Sequence, residues 1–374
     1  MTNGGFADLF TVFARIDDVG FSAFLVPRDT PGLSLSGEEQ KMGLRASSTR
    51  RLFLNNAAVP VDALLGEAGQ GHRPALYALN AGRFNIGAIA LGGTKEALRI
   101  STGYALGRRQ SGRPIAEFGL VEDKLAEMAI RIFALESMIY RAAGCWDASL
   151  AAGRSLMETL EEYAVECAIV KFLGTETLGY AVDECLQIHG GFGFSEEFSA
   201  ARLYRDARVF RIFEGTNEIN RLTVIDQIRR RIQRGRIASP TTDGVGKSQE
   251  ATDVIRSIAC FVVDKVLAHV ENQQACAAAA DIVGLLYALD SVRLRVDKMA
   301  RPSATISTIV DAFVEGALVE VGKQARIALA AVGVTFEEAR RIVEPVADRP
   351  FVDVAGLKRS IAAEIRDFGG YPVP

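Results

Sequence analysis

Histidine is scarce in this chain of 374 residues. His72, His189 and His269 are the only three, and their wide spacing argues against a histidine-based metal centre. Cysteine is scarce too: Cys145, Cys167, Cys185, Cys260 and Cys276 lie in helix-like runs with no CxxC spacing, which excludes a disulfide scaffold or a zinc site. Charge of one sign is not in excess, with 43 Lys and Arg against 46 Asp and Glu and a net charge of −3. That balance excludes a strongly basic nucleic-acid binder. The opening residues do not read as a signal peptide, and no uninterrupted apolar run is expected to span a bilayer. A reducing cytoplasm is the expected compartment. What the chain does have is apolar residues, 49% against 24% charged, and length enough for two to three domains with ample core.

The stretch richest in chemistry runs from 182 to 222 and contains three pieces. QIHGGFGF (187–194) is a glycine-rich turn after an apolar, helix-like run. Gly190, Gly191 and Gly193 would let the backbone approach an anion with N–H groups free for phosphate oxygens, although a plain helix C-cap uses the same residues. Arg205 and Asp206 open a basic-apolar run. FEGTNEI (213–219) then sets Glu214 between Ile212 and Phe213 on one side and Gly215 on the other. An apolar pocket there would disfavour the charged carboxylate and suit a general base; a solvated glutamate at a helix start is the alternative. Thr216 is a credible N-cap that leaves backbone N–H groups of the next turn to a ligand.

Along the chain, residues 1–65 read as antiparallel strands: LFTVFARI (9–16), GFSAFLVP (20–27) and a third run at 50–60. Helical patterns follow over 70–106, about 120–150, 156–188 and 216–234, and together predict a four-helix bundle. Small residues in the first of these permit close packing. GRRQSGRPIAEFG (107–119) is a polar connector whose arginines suit pyrophosphate or carboxylate, or simply solvent. The Ser-, Pro-, Thr- and Gly-rich stretch at 237–249 reads as a linker, and 250–374 as further alanine-rich helices. The expected organisation is therefore a partial β domain at 1–65, a bundle at 66–236, the linker, and an additional helical domain at 250–374. The fold class is mainly α with a partial antiparallel β domain.

Taken together and in this order, QIHGGFGF, LYRD and FEGTNEI resemble the C-terminal signature of the acyl-CoA dehydrogenase family. NGGFADLFTVFAR, KMGLRASST and VPVDALLGEAGQG look like the second half of that family's central β domain. The wording around RIFEGTN and the long C-terminal extension look like the very-long-chain type. In relatives a tryptophan, the first half of the β domain and an N-terminal helical domain precede the motif with which this chain opens. The resemblance thus leads to the expectation of a truncated chain with uncovered apolar surface.

The resemblance also implies a chemistry, the FAD-dependent α,β-dehydrogenation of a long-chain fatty acyl-CoA to the trans-2-enoyl-CoA. Glu214 would be the catalytic base, since Gly82 stands where some relatives carry theirs. Asn80, Arg83, Phe213 and Gly215 would line the acyl-CoA site. Thr2, Thr216 and Glu218 would contact the FAD beside Glu214. Arg108, Gln110 and Ser111 would reach the adenosine half of a neighbouring subunit's FAD, with Gln187, Gly190 and Gly191. Ser111 replaces an aromatic residue found in many relatives, which removes a stacking contact. A homodimer or larger assembly, an electron-transfer flavoprotein as acceptor, no nucleic-acid partner and peripheral membrane contact through the C-terminal helices are the implied associations. The competing expectation is a catalytically inactive truncated homologue that serves as an assembly or scaffold subunit.

Overall fold

The apolar runs at the N-terminus fold as the expected hairpin. In the computed structural model, which describes residues 1–240, 250–347 and 349–373, β1 (Leu9–Ile16) pairs antiparallel with β2 (Gly20–Pro27) along its whole length. The third run contributes only β4 (Leu52–Leu54), which pairs with β3 (Leu33–Leu35) in a separate ladder, so the four strands form two ribbons and not one sheet. Phe10, Ala23 and Val26 are buried, whereas Phe13 and Phe21 stack at 5.5 Å on the exposed face. With Phe6 and Phe53 also exposed, this region carries the uncovered apolar surface anticipated from its sequence. These residues belong to one compact unit, Met1–Gly82; the second unit is Arg83–Pro374.

The long helix α1 (His72–Gly107) crosses from one unit into the other. Its small residues do what their size permits. A Cβ on Gly87 would lie 2.3 Å from Val170 Cγ1, and one on Gly174 would lie 3.3 Å from Gly87 Cα. Only glycine lets these two backbones come so close. The strand-like pair β5 (Arg109–Gln110) and β6 (Arg113–Pro114) forms a tight hairpin in the connector, with Ser111 and Gly112 both at positive φ. Helix α2 (Gly119–Ala151) follows. The expected single helix over 156–188 is two helices: α3 (Leu156–Glu162), opened by a Ser155–Glu158 capping box, and α4 (Ala164–His189). Tyr163, at φ −101° and ψ 25°, turns the chain between them.

Three shorter elements complete the bundle region: α5 (Gly191–Phe194), α6 (Ser199–Ala207) and α7 (Asn217–Gln233). Beyond lie α8 (Ala251–Leu267), α9 (Gln273–Asp297), α10 (Ala304–Ala331), α11 (Phe336–Ala347) and α12 (Val354–Phe368). Side chains of Glu250, Asn272, Ser303 and Asp353 cap four of them by accepting a backbone N–H of the first turn.

The expected boundary between a bundle at 66–236 and a separate domain at 250–374 does not coincide with the compact units. Helices of both regions share one buried cluster from Ala90 to Val373, and α9 packs on α2 and α7 as well as on α8 and α10. Gly284 of α9 shows why: its Cβ would stand 3.0 Å from Phe172 Cζ in α4. Of the expected linker, residues 241–249 lie outside the described residues. As expected, no apolar run is uninterrupted in α9, which Asp281 and Asp290 divide. By length and composition α9 is apolar enough to cross a membrane. Alanine, small and apolar at once, accounts for this, and 61% of the apolar window is buried inside the protein.

Candidate functional site

The FEGTNEI motif folds as a turn of unusual backbone conformation. Glu214 and Gly215 are both left-handed, at φ 55° and φ 80°. For glycine this costs little; for glutamate it costs about 1 kcal/mol, which surrounding bonds must offset. Those bonds converge on the carbonyls. Arg83 Nε donates to Glu214 O at 3.3 Å. Asn220 Nδ2 lies 2.8 Å from Gly215 O and 2.9 Å from Thr216 O, donating to both. Thr216 is the N-cap of α7, as its sequence suggests, and its hydroxyl accepts from Ile219 N at 3.3 Å. That N–H is therefore engaged by the protein itself.

The surroundings of Glu214 differ from the apolar pocket expected. Ile212 is 52% exposed, and the Phe213 ring packs on Phe210 at 5.1 Å. Glu214 itself is half-buried; burial lowers the proton affinity of two nearby cations, Arg83 and Lys171, and the Glu214 charge opposes that fall. The side chains fixed around it are polar because the turn exposes three carbonyls that require donors. Arg83, read from the sequence as either a surface residue or a site residue, is 5% exposed.

Lys171, in the interior of α4, is a residue that the sequence reading does not single out. It is 0% exposed, and its Nζ donates to Gly215 O and to Asn217 Oδ1, both at 2.8 Å. Burial pushes its ammonium down to about 8, helped by nearby Arg83 and opposed by Glu176, Glu218 and Glu214. Asn217 Nδ2 donates in turn to Thr175 Oγ1 at 3.0 Å and to Glu176 Oε1 at 2.9 Å. Glu176 also pairs with Arg211, and Arg221 joins it to Asp281 of α9. The available signal was a lone lysine in the apolar run AIVKFLG of α4, where a cation needs partners.

The glycine-rich turn builds a second feature. Gly190, at φ 60°, ends α4, and Gly193 is fixed by packing, since its Cβ would meet Leu186 O at 2.3 Å. The N–H groups of Gly190 and Gly193 donate to Gln187 O and Gly190 O, so they are not free for an anion as the sequence reading supposed. Around Gly190 and Gly191 there is open space, and with Arg108, Gln110, Tyr104, Ile115 and His189 they line a groove of about 450 Å³. The Arg108 guanidinium lies 6.0 Å from the Phe192 ring centroid. His189 stacks on Tyr104 at 4.2 Å, and its Nδ1 is 2.7 Å from Cys185 O, which places the proton on Nδ1. Burial holds its imidazole below the ordinary value.

The structure thus gathers the expected residues into two groups. Glu214, Gly215, Arg83, Phe213, Thr216 and Glu218 lie at or beside the FEGTNEI turn. A backbone hydrogen bond, with a further one from the Thr216 side chain, holds the Glu218 carboxyl below the usual range. Arg108, Gln110, Gly190 and Gly191 meet at the groove, with Ser111 exposed in the adjoining hairpin and Gln187 exposed on the last turn of α4. Asn80 is buried and Thr2 bridges to Thr49, both within the first unit. Among the described residues no group of three or more His, Cys, Asp or Glu is arranged to hold a metal ion.

Residues 1–57 match the acyl-CoA dehydrogenase middle domain, and residues 69–229 match the acyl-CoA dehydrogenase C-terminal domain. A probable acyl-CoA dehydrogenase of Bacillus subtilis is 37% identical over 367 residues, 88% of this chain and 62% of that protein. The bovine mitochondrial very long-chain specific acyl-CoA dehydrogenase is 39% identical over 60% of the chain and 34% of its own length. A crystal structure of an acyl-CoA dehydrogenase complexed with FAD from Bacillus anthracis superposes with a TM-score of 0.93 at 36% identity, covering 100% of this chain and 70% of that one. The chain therefore spans less than two thirds of the length of these two curated relatives.

Proposed function

Because the chain belongs to the acyl-CoA dehydrogenase family, we propose that it takes part in the FAD-dependent α,β-dehydrogenation of fatty acyl-CoA thioesters, with Glu214 as the base. One observation carries this reading. A single carboxylate sits on a strained left-handed turn whose carbonyls are tied by Arg83, Lys171 and Asn220. Strain held by buried donors is a mark of a positioned group, since an ordinary helix start needs neither.

Glu214 would take the α-proton of the thioester. The electron pair of that C–H bond stays on the substrate and becomes the new double bond as the β-hydride leaves. When bound, FAD supplies the acceptor for that hydride. A backbone N–H near Glu214 would stabilise the negative charge developing on the thioester oxygen. Arg83, Phe213 and Gly215 would line the acyl-CoA side.

The groove fits a dinucleotide by the chemistry of its lining. Arg108 and Gln110 offer donors for phosphate and ribose oxygens, Tyr104, Ile115 and Ile188 offer apolar walls, and Gly190 and Gly191 leave the approach open. Arg108, Gln110, Ser111, Gln187, Gly190 and Gly191 would hold the adenosine half of one FAD. Thr216 and Glu218 would hold the FAD beside Glu214. Two such half-sites imply a homodimer or a larger assembly. The identity with the very long-chain enzyme and the helices beyond residue 250 favour a long acyl chain. Electrons would pass to an electron-transfer flavoprotein.

The test is the visible spectrum of the full chain after incubation with FAD. Retention of a flavin band that bleaches with palmitoyl-CoA is expected, and Glu214→Gln should lower the bleaching rate by roughly a hundredfold or more. A colourless protein would overturn the proposal for this chain and favour a scaffold role.

A further inference from the structure

A buried cation that reaches across from another helix does more to the FEGTNEI turn than fill space. Lys171 leaves the interior of α4, fully buried, and its Nζ ends on Gly215 O and on Asn217 Oδ1 at 2.8 Å each. The first is the carbonyl of the left-handed residue that follows Glu214. The second belongs to the first residue of α7, whose amide is also held by Thr175 and Glu176 one turn along α4. We propose that Lys171 is a positioning residue that fixes the direction of the Glu214 carboxylate by clamping the Glu214–Asn217 turn onto α4. This deepens the role given to Glu214 above and rests on that reading for its catalytic meaning.

The geometry separates positioning from plain stability. Lysine is an expensive way to fill a core: an apolar residue of similar length would avoid desolvating a charge. Its three donors are what the turn needs, since two acceptors face one another across the helix–turn junction. Arg83 holds the neighbouring carbonyl of Glu214 and Asn220 also holds Gly215 O, while Lys171 adds a bond to Asn217 Oδ1. The Lys171 ammonium thus bridges the turn and the first residue of α7. The charged groups that bear on it are Arg83 on α1, Glu176 on α4, and Glu214 and Glu218 around the start of α7.

Hydrogen–deuterium exchange of the full chain tests this without substrate or cofactor. In Lys171→Met the amides of 214–219 should exchange about tenfold faster, the value of one lost charge-assisted bond, while α2 exchanges as in the wild type. Lys171→Arg, which keeps charge and donors, should restore most of the protection. Ala168→Gly, a destabilising change in the same helix that touches none of these bonds, should leave the turn protected relative to α2. Unchanged exchange in Lys171→Met, or an equal rise in Ala168→Gly, overturns the proposal. If Lys171→Met does not fold, Lys171→Gln takes its place with the same expectation.

In the presence of FAD and palmitoyl-CoA, Lys171→Met should lower kcat about tenfold with KM nearly unchanged. A loss confined to KM would also overturn it. An inactive wild type with a loosened turn in Lys171→Met would instead count against the catalytic reading of Glu214 and leave the clamp standing.

Discussion

Gly215 shows how much one residue can decide. At φ 80° it lies where side chains are disfavoured, and a Cβ there would come 3.3 Å from Asn220 Nδ2 and 3.4 Å from Arg83 Nη2. Gly215→Ala is expected to destabilise the chain by about 1–2 kcal/mol and to lower its melting temperature by a few degrees. Thermal unfolding followed by circular dichroism measures it. Lys171 makes a second residue-scale prediction. Its folded-state value of about 8 lies below its ordinary 10.5, so the folded protein releases the proton first as pH rises. Between those values the unfolded chain binds more protons, and stability linked to this group grows with pH. Wild type should therefore gain on Lys171→Met by up to about 1 kcal/mol per pH unit from pH 8 to pH 10, read from urea unfolding at each pH. A flat difference would show that Lys171 does not titrate in that window.

At the scale of elements, the site is held where α4, α7 and α9 meet. Arg221 of α7 bonds Asp281 of α9 at 2.8 Å, lies 3.8 Å from Glu176 of α4, and covers the Phe172 ring at 4.7 Å. Burial raises the Asp281 carboxyl, and Arg221 opposes that rise. Arg221→Met should cost about 2 kcal/mol, less than a fully buried pair would because all three side chains keep some contact with solvent. Chemical unfolding of the variant and of Asp281→Asn, singly and together, would show whether the pair acts as one unit. The capping box of α3 is a simpler device. Ser155 accepts from Glu158 N while Glu158 accepts from Ser155 N, and Ser155→Ala should cost about 1 kcal/mol. The sequence Ser-Leu-Met-Glu announced this helix start; nothing in it announced the break at Tyr163.

At the largest scale, the consequence of the continuous core within the second unit is cooperativity. Helices 83–240 and 250–373 share buried side chains, so the helical signal of both is expected to be lost in one denaturant transition. Gly284→Val would press a side chain against Phe172 and Leu173 and should destabilise that transition by about 1–3 kcal/mol without splitting it. Two separate transitions, with only the later helices affected, would mean that residues 250–374 fold as a domain of their own.

Much of this protein is legible in its residues alone. The hairpin at 9–27, α1, α2 and α7 follow from periodicity and turn signals, because these depend on neighbours along the chain. Motif wording singles out Glu214 and the glycine turn as candidates, and the backbone at Glu214, Gly215 and Gly190 is indeed at positive φ. What the residues could not say is what surrounds them. Whether Arg83 faces water or a carbonyl, whether Lys171 is core or clamp, and whether α9 crosses a bilayer or packs on α4 depend on contacts between residues far apart in the chain. A buried cation or an apolar helix has more than one stable surrounding, and only the packed tertiary structure selects among them.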